Sequence, residues 1–268
     1  MPVPSIAGNH LGVNQSFTRF LFVHPLRGDD DVRARLRAMG PVVERGFYNA
    51  FELQGPHDAG PHETIQFLVP ANGDDVADAD GRRPALYVAQ VSSKYRPRLD
   101  DAERELRRRT LDFAEIVTLD GAVRNMQYTS AEMHTWAYAQ ARERASGRYL
   151  PNALILPIRK SPAWWAMPSM ERHQFFYPHH DRASGQCVPG HGIVGREAAP
   201  HICRRVFHNP HGPNRPGEWD FVTYFECADE HLALFDETLE ALRDPRKNPE
   251  WRYVEEGPLW RGRRVLKW

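Results

Sequence analysis

The sequence predicts an α+β fold built on antiparallel sheet, with each half of the chain forming one sheet covered by helices on one face. Two observations predict it. Strand-like segments often follow one another directly, and helical segments occur in both halves without the strict alternation of a doubly wound parallel sheet. The 268 residues suit one large domain or two fused modules of ordinary size. No residue-level repeat relates the halves.

The elements follow from local pattern. Residues 1–17 combine Gly, Pro, Asn and Ser without periodicity and read as an arm. RFLFV (19–23) reads as a buried strand, and Asp30 caps a short helix with Val32, Leu36 and Met39 on one face. GFYNAFEL (46–53), ETIQFLV (63–69) and ALYVAQV (85–91) read as strands, with a turn or loop at 54–62 and a long polar loop at 72–84. Asp100 with Glu103 matches a capping box and predicts a helix to about Ile116; a second helix is expected over 130–146. In the C-terminal half, ALILPI (153–158) is a strand, followed by a helix carrying ERHQFF (171–176) and a His-, Pro- and Gly-rich loop over 178–192. Strands are expected near 201–208, at WDFVTYFE (219–226) and at the closing GRRVLKW. Between the last two, Leu232, Phe235, Leu239 and Leu242 mark a helix over 229–243. The expected division is an arm over 1–17, a first module over 18–148 and a second over 149–268.

Composition narrows the function. The 35 basic and 35 acidic residues balance, which argues against nucleic acid or an anionic membrane as the main partner. Cys187, Cys203 and Cys227 lack the paired spacing of a zinc or disulfide framework and read as free thiols in a reducing compartment. The first residues carry neither a basic region nor an apolar run, and no apolar stretch reaches the length of a membrane span. A cytoplasmic protein is expected.

Histidine is the notable excess. His173, His179, His180, His191, His201, His208 and His211 fall in one window, and histidine is the commonest metal ligand. None pairs at the HExxH spacing of a zinc protease. His179, His180 and His191 together are one candidate for a non-haem metal centre.

A more specific signal lies in four blocks of the C-terminal half. These are RKSPAWWAMPSMER (159–172), HGIVGRE (191–197), WDFVTYFE (219–226) and NPEWRYVEEGP (248–258). In this order they resemble the chlorite dismutase-like haem proteins, whose relatives include coproheme decarboxylases and dye-decolorising peroxidases. The resemblance implies two ferredoxin-like modules, a homo-oligomer (a pentamer or hexamer) and haem b, iron protoporphyrin IX. It assigns His191 as the proximal ligand of the iron and Arg204, 13 positions on, as the arginine on its reactive face. A neutral imidazole leaves the opposite coordination site open, and a fixed guanidinium there attracts an anionic oxidant. By the same resemblance Glu250 hydrogen-bonds the proximal histidine, Trp164 and Trp165 line the haem pocket, and Lys160 pairs with a propionate.

The chain departs from the pattern in three places. About a dozen residues around DRASGQCVPG precede His191 as an insertion, and without them His179 would fall at the ligand position; HGxxGR and the spacing to Arg204 favour His191. Leu156 stands where coproheme decarboxylases carry a tyrosine, which argues against haem biosynthesis. Glu255 or Glu256 stands where the family has a tryptophan. The leading expectation is a haem-dependent oxidoreductase decomposing chlorite, a related oxyanion or a peroxide at ferric haem, with His201 and His208 as candidate proton-transfer groups. The alternatives are a haem-binding or haem-transfer protein without turnover and the non-haem metal enzyme.

Overall fold

The computed structural model describes residues 16–26, 30–49, 64–71, 85–123 and 150–265. The expected loop at 72–84, the expected helix at 130–146 and nearly all of the arm lie outside them. The chain divides into two compact units, Met1–Asn125 with Arg261–Trp268, and Met126–Trp260.

The first unit runs β1 (Phe17–Pro25), α1 (Asp30–Asn49), β2 (Thr64–Pro70), β3 (Tyr87–Ser93), α2 (Arg96–Thr110) and β4 (Ala114–Ala122). All pairings are antiparallel: β1 lies between β3 (Leu21↔Ala89) and β4 (Leu21↔Thr118), and β2 pairs with β3 (Phe67↔Ala89). The chain's last strand, Trp260–Val265, adds to β2 through Gly262↔Pro70. Alternation puts Leu21, Val23, Ile65, Phe67, Ala89 and Val91 into one core with Leu36, Val43 and Phe47 of α1 and Leu99 and Leu106 of α2.

Two expectations are corrected here. Gly46–Asn49 close α1 rather than open a strand, because Val32, Leu36, Val43 and Phe47 keep helical spacing through Pro41; residues 50–53 lie outside the described residues. The helix expected from Asp100 to Ile116 begins earlier and ends earlier. Pro97 starts it, so its missing N–H costs nothing there. Asp100 and Glu103 instead sit mid-helix and grip Arg19 of β1 at 2.8 and 2.7 Å, while Asp120 of β4 binds the same guanidinium through two oxygens. Residues 114–122, partly assigned to that helix, pair with β1.

The second unit runs β5 (Asn152–Lys160), α3 (Pro162–Ala166), α4 (Ser169–Gln174), a ribbon of β6 (His179–Asp181) and β7 (Gln186–Val188), α5 (His191–Val194), β8 (Ile202–His208), β9 (Phe221–Cys227), α6 (Leu232–Arg243) and β10 (Val254–Glu256). Its strands lie in the order β10-β5-β9-β8, all antiparallel. Each unit therefore repeats the ferredoxin-like arrangement, with the first strand central beside the third and fourth. The expected loop at 178–192 contains the β6–β7 ribbon and α5. Asp181 anchors the ribbon to Arg252 through two bonds of 2.9 and 2.8 Å.

Leu154, Leu156 and Ile158 alternate onto one face of β5 and pack with Ile202 and Val206 of β8, and with Phe235 and Leu239 of α6. The helical spacing read for α6 therefore faces this sheet. Among the described residues no helix is long and apolar enough to cross a membrane. Cys187 is exposed, Cys203 and Cys227 are buried, and none is in a disulfide.

Candidate functional site

The site is assembled within the second unit, where β5 ends. The Lys160 N–H donates to Asp220 Oδ2 at 2.7 Å, fixing the strand end, and its ammonium lies 4.2 Å from the Trp164 ring centre. That ammonium is 2.7 Å from Glu250 Oε1. Glu250 comes from the 3-10 turn Pro249–Tyr253, and its second oxygen is 3.2 Å from His191 Nδ1. A chain thus runs from a buried cation to a partly buried carboxylate and imidazole.

Local sequence explains why His191 sits there. Its N–H donates to the Phe175 carbonyl at 2.9 Å, and the next N–H, of Gly192, donates to the Phe176 carbonyl at 2.9 Å. Gly190 holds φ of 74°, and a Cβ at that position would collide with the Tyr177 carbonyl. A Cβ on Gly192 would meet the Phe176 ring at 2.8 Å. The same ring lies parallel to the imidazole, 6.0 Å away with 25° between planes. The glycines flanking His191 let the backbone approach closely enough for the imidazole to reach Glu250.

Charge sets the protonation state. Burial pushes His191 below the ordinary imidazole range, against the opposing pull of Glu250. Burial alone would raise Glu250, but Lys160 and the His191 hydrogen bond hold its carboxyl well below the usual carboxylate range. With an ionised Glu250 accepting from Nδ1–H, the lone pair of a neutral His191 lies on Nε2. That lone pair faces Arg204: the guanidinium Nη1, reaching from β8, is 3.5 Å from Nε2.

His191 and Arg204 line one cavity of about 80 Å³. Its other walls are mainly apolar, including Leu156, Ile202, Phe225, Phe235, Leu239 and Trp251, with hydroxyls from Thr223 and Thr238. Leu156 is thus an apolar wall residue.

The remaining sequence candidates fall around this cavity rather than in it. Lys160, read as a propionate partner, is committed to Glu250. Trp164 is 1% exposed, packs against Phe175 and Tyr253, and its indole N–H has no hydrogen-bond partner among the described residues. Trp165 donates to Asp220 Oδ2 at 3.0 Å and stacks on Phe221. His179 meets the Tyr177 carbonyl at 2.8 Å through Nδ1 and lies edge-on to Phe175, outside the cavity lining. His201 lies tilted against His231 and His208 edge-on to Phe221, and neither lines the cavity. Among the described residues no group of three or more His, Cys, Asp or Glu side chains is placed to hold a metal. The non-haem centre of His179, His180 and His191 is therefore not formed.

Sequence reading missed Asp220 and Trp251. Asp220 joins the Lys160 backbone, the Trp165 indole and the Asn214 N–H, yet in sequence it is one acid within the segment WDFVTYFE read as a strand. Trp251 lines the cavity and donates to Glu256 at 2.7 Å, with Arg243 gripping the same carboxylate. Its position directly after Glu250 was the available signal.

No protein-family model matches the sequence, and no curated protein matches it. Solved structures do match. A variant of chlorite dismutase from Candidatus Nitrospira defluvii in complex with cyanide is 15% identical, with a TM-score of 0.63, over 96% of this chain and 94% of that one. An arginine-to-glutamate variant of the same enzyme gives 15% and 0.64 over the same shares. Its complex with imidazole gives 14% and 0.59, again over 96% and 94%. The chain has the chlorite dismutase-like fold over nearly its whole length.

Whether this site suits a haem can be judged from its own atoms. The donor set fits: a partly buried imidazole with Nε2 unprotonated, oriented by a carboxylate and facing an apolar cavity. The cavity of about 80 Å³ is smaller than the roughly 300–1,000 Å³ of cofactor sites, so a macrocycle requires both Arg204 and the apolar walls to withdraw. A metal–imidazole bond is about 2.0–2.1 Å and non-bonded contact about 3.5 Å. A guanidinium across a flat macrocycle must therefore withdraw roughly 2 Å from its 3.5 Å approach to Nε2.

Proposed function

We propose that this chain is a haem b protein in which His191 Nε2 would hold the iron and Arg204 would be the cationic group facing a small anionic or peroxide substrate. The observation that carries the reading is the convergence of a lone pair fixed by Glu250 and a guanidinium on one apolar cavity. When bound, the haem iron supplies an open coordination site at which the bond to a transferred oxygen is broken. The protein's contribution is electrostatic and geometric. Lys160 keeps Glu250 ionised, Glu250 orients the ring and strengthens it as a donor, and apolar walls exclude water. Arg204 attracts an oxyanion and steadies charge that develops as it reacts. Chlorite or a related oxyanion suits this cavity better than peroxide, because its described lining offers no carboxylate or second imidazole to move a proton. A cytoplasmic homo-oligomer, pentamer or hexamer, completes the reading.

Haem b mixed with the purified chain should give a Soret band, and the loaded protein should consume chlorite. Arg204→Ala should keep the band and slow chlorite consumption well over tenfold, since such charge stabilisation is worth a few kcal/mol. Unchanged kinetics would remove Arg204 from the reaction. The alternative, haem binding without turnover, uses the same His191 and Glu250. A loaded protein inert to both chlorite and peroxide would select it.

A further inference from the structure

A second cavity, of about 450 Å³, lies where the end of β5, the loop after β8 and the 3-10 turn before β10 meet. Its volume is that of an ordinary small-ligand pocket. Four cationic side chains line it, Arg159, Lys160, Arg215 and Arg252, against one acid, Glu255.

The cations differ in how firmly they are held. Lys160 is committed to Glu250 at 2.7 Å, and Arg252 to Asp181 through two short bonds. Arg159 and Arg215 are not so committed. Arg159 reaches Glu255 only at 3.4 Å and the Glu218 carbonyl at 3.1 Å, and Arg215 reaches the Glu218 carboxylate at 3.3 Å and the His211 carbonyl at 3.3 Å. Charge-assisted bonds are normally about 2.7–2.9 Å. Among the described residues the Nη2 groups of both arginines have no hydrogen-bond partner, so each keeps donors for a ligand.

The site is also stiff. Asn214 sits on the cavity wall with φ of 56°, held by its N–H on Asp220 Oδ1, and Pro216 follows Arg215. Arg159 is steadied 4.9 Å above Trp219. Pro162, Tyr253 and Val254 give the same cavity an apolar wall. Paired guanidinium forks recognise planar or tetrahedral oxyanions, and an apolar wall accepts a compact organic body.

We propose that this cavity binds a small organic oxyanion, a phosphate or carboxylate on an apolar body, at Arg159 and Arg215. The site is separate from the His191 cavity and does not depend on haem. The test is calorimetric titration of the full chain with phenyl phosphate, with inorganic phosphate as a second arm. Saturable binding of phenyl phosphate is expected, tighter than inorganic phosphate. The double variant Arg159→Gln/Arg215→Gln should weaken binding tenfold or more with an unchanged circular dichroism spectrum, and Glu255→Gln should tighten it by removing the facing acid. Absence of saturable binding at millimolar concentrations, or equal affinity in the double variant, overturns the proposal.

Discussion

Asp220, His191 and Glu250 show how single side chains define the site. The state of His191 makes a testable demand on pH. Its folded-state affinity for a proton is depressed by burial, so below the ordinary imidazole value of about 6.5 the unfolded chain takes up a proton that the folded chain refuses. Glu250, depressed by its partners, acts in the same sense below the ordinary carboxylate value of about 4.3. Stability from both groups is present at neutral pH and falls as pH is lowered. Urea midpoints should therefore drop between pH 7 and 5.5, and His191→Gln should remove much of that drop. A wild-type midpoint flat across the interval would show that the imidazole is not buried in the neutral form. Glu250→Gln, which leaves Lys160 without its anion, should destabilise by about 3–5 kcal/mol as a broken buried pair.

Among the elements, the β6–β7 ribbon rests on one ion pair. Asp181 is buried beneath two guanidinium bonds from Arg252, and that guanidinium holds its carboxyl well below the usual carboxylate range. Asp181→Asn should cost about 1–3 kcal/mol in hydrogen bonds to a charged group and speed amide exchange in residues 179–188. Exchange unchanged there would place the anchor elsewhere. Most elements were legible in sequence because their apolar pattern was clean: Leu232, Phe235 and Leu239 marked α6, and the unbroken apolar run ALILPI marked β5. Misreadings arose where a long-range partner overrode local chemistry. Asp100 and Glu103 looked like a cap because nothing local announces that Arg19, some eighty residues earlier, needs them. Gly46–Asn49 looked like a strand because its aromatics are also good strand formers.

At the scale of the molecule, two units repeat one antiparallel plan, and the chlorite dismutase-like fold follows from that plan at only 14–15% identity. Fold alone does not assign chemistry. The likeness of four short blocks pointed to His191, Glu250 and Arg204, and the structure brings all three together. It could not give the direction of Lys160, which turns to Glu250, nor the closeness of Arg204 to Nε2, because both depend on packing across elements distant in sequence. A homo-oligomer is part of the proposal, and multi-angle light scattering of the full chain should give five or six times the monomer mass; a monomer would contradict it.

The most direct measurement is a titration of haem b into the wild-type chain, His191→Ala and His179→Ala, followed by the Soret band and by the iron–imidazole stretching vibration of the reduced protein. Tight binding and a histidine–iron vibration are expected in wild type and His179→Ala, with both lost in His191→Ala. A vibration that survives His191→Ala and vanishes in His179→Ala would contradict it.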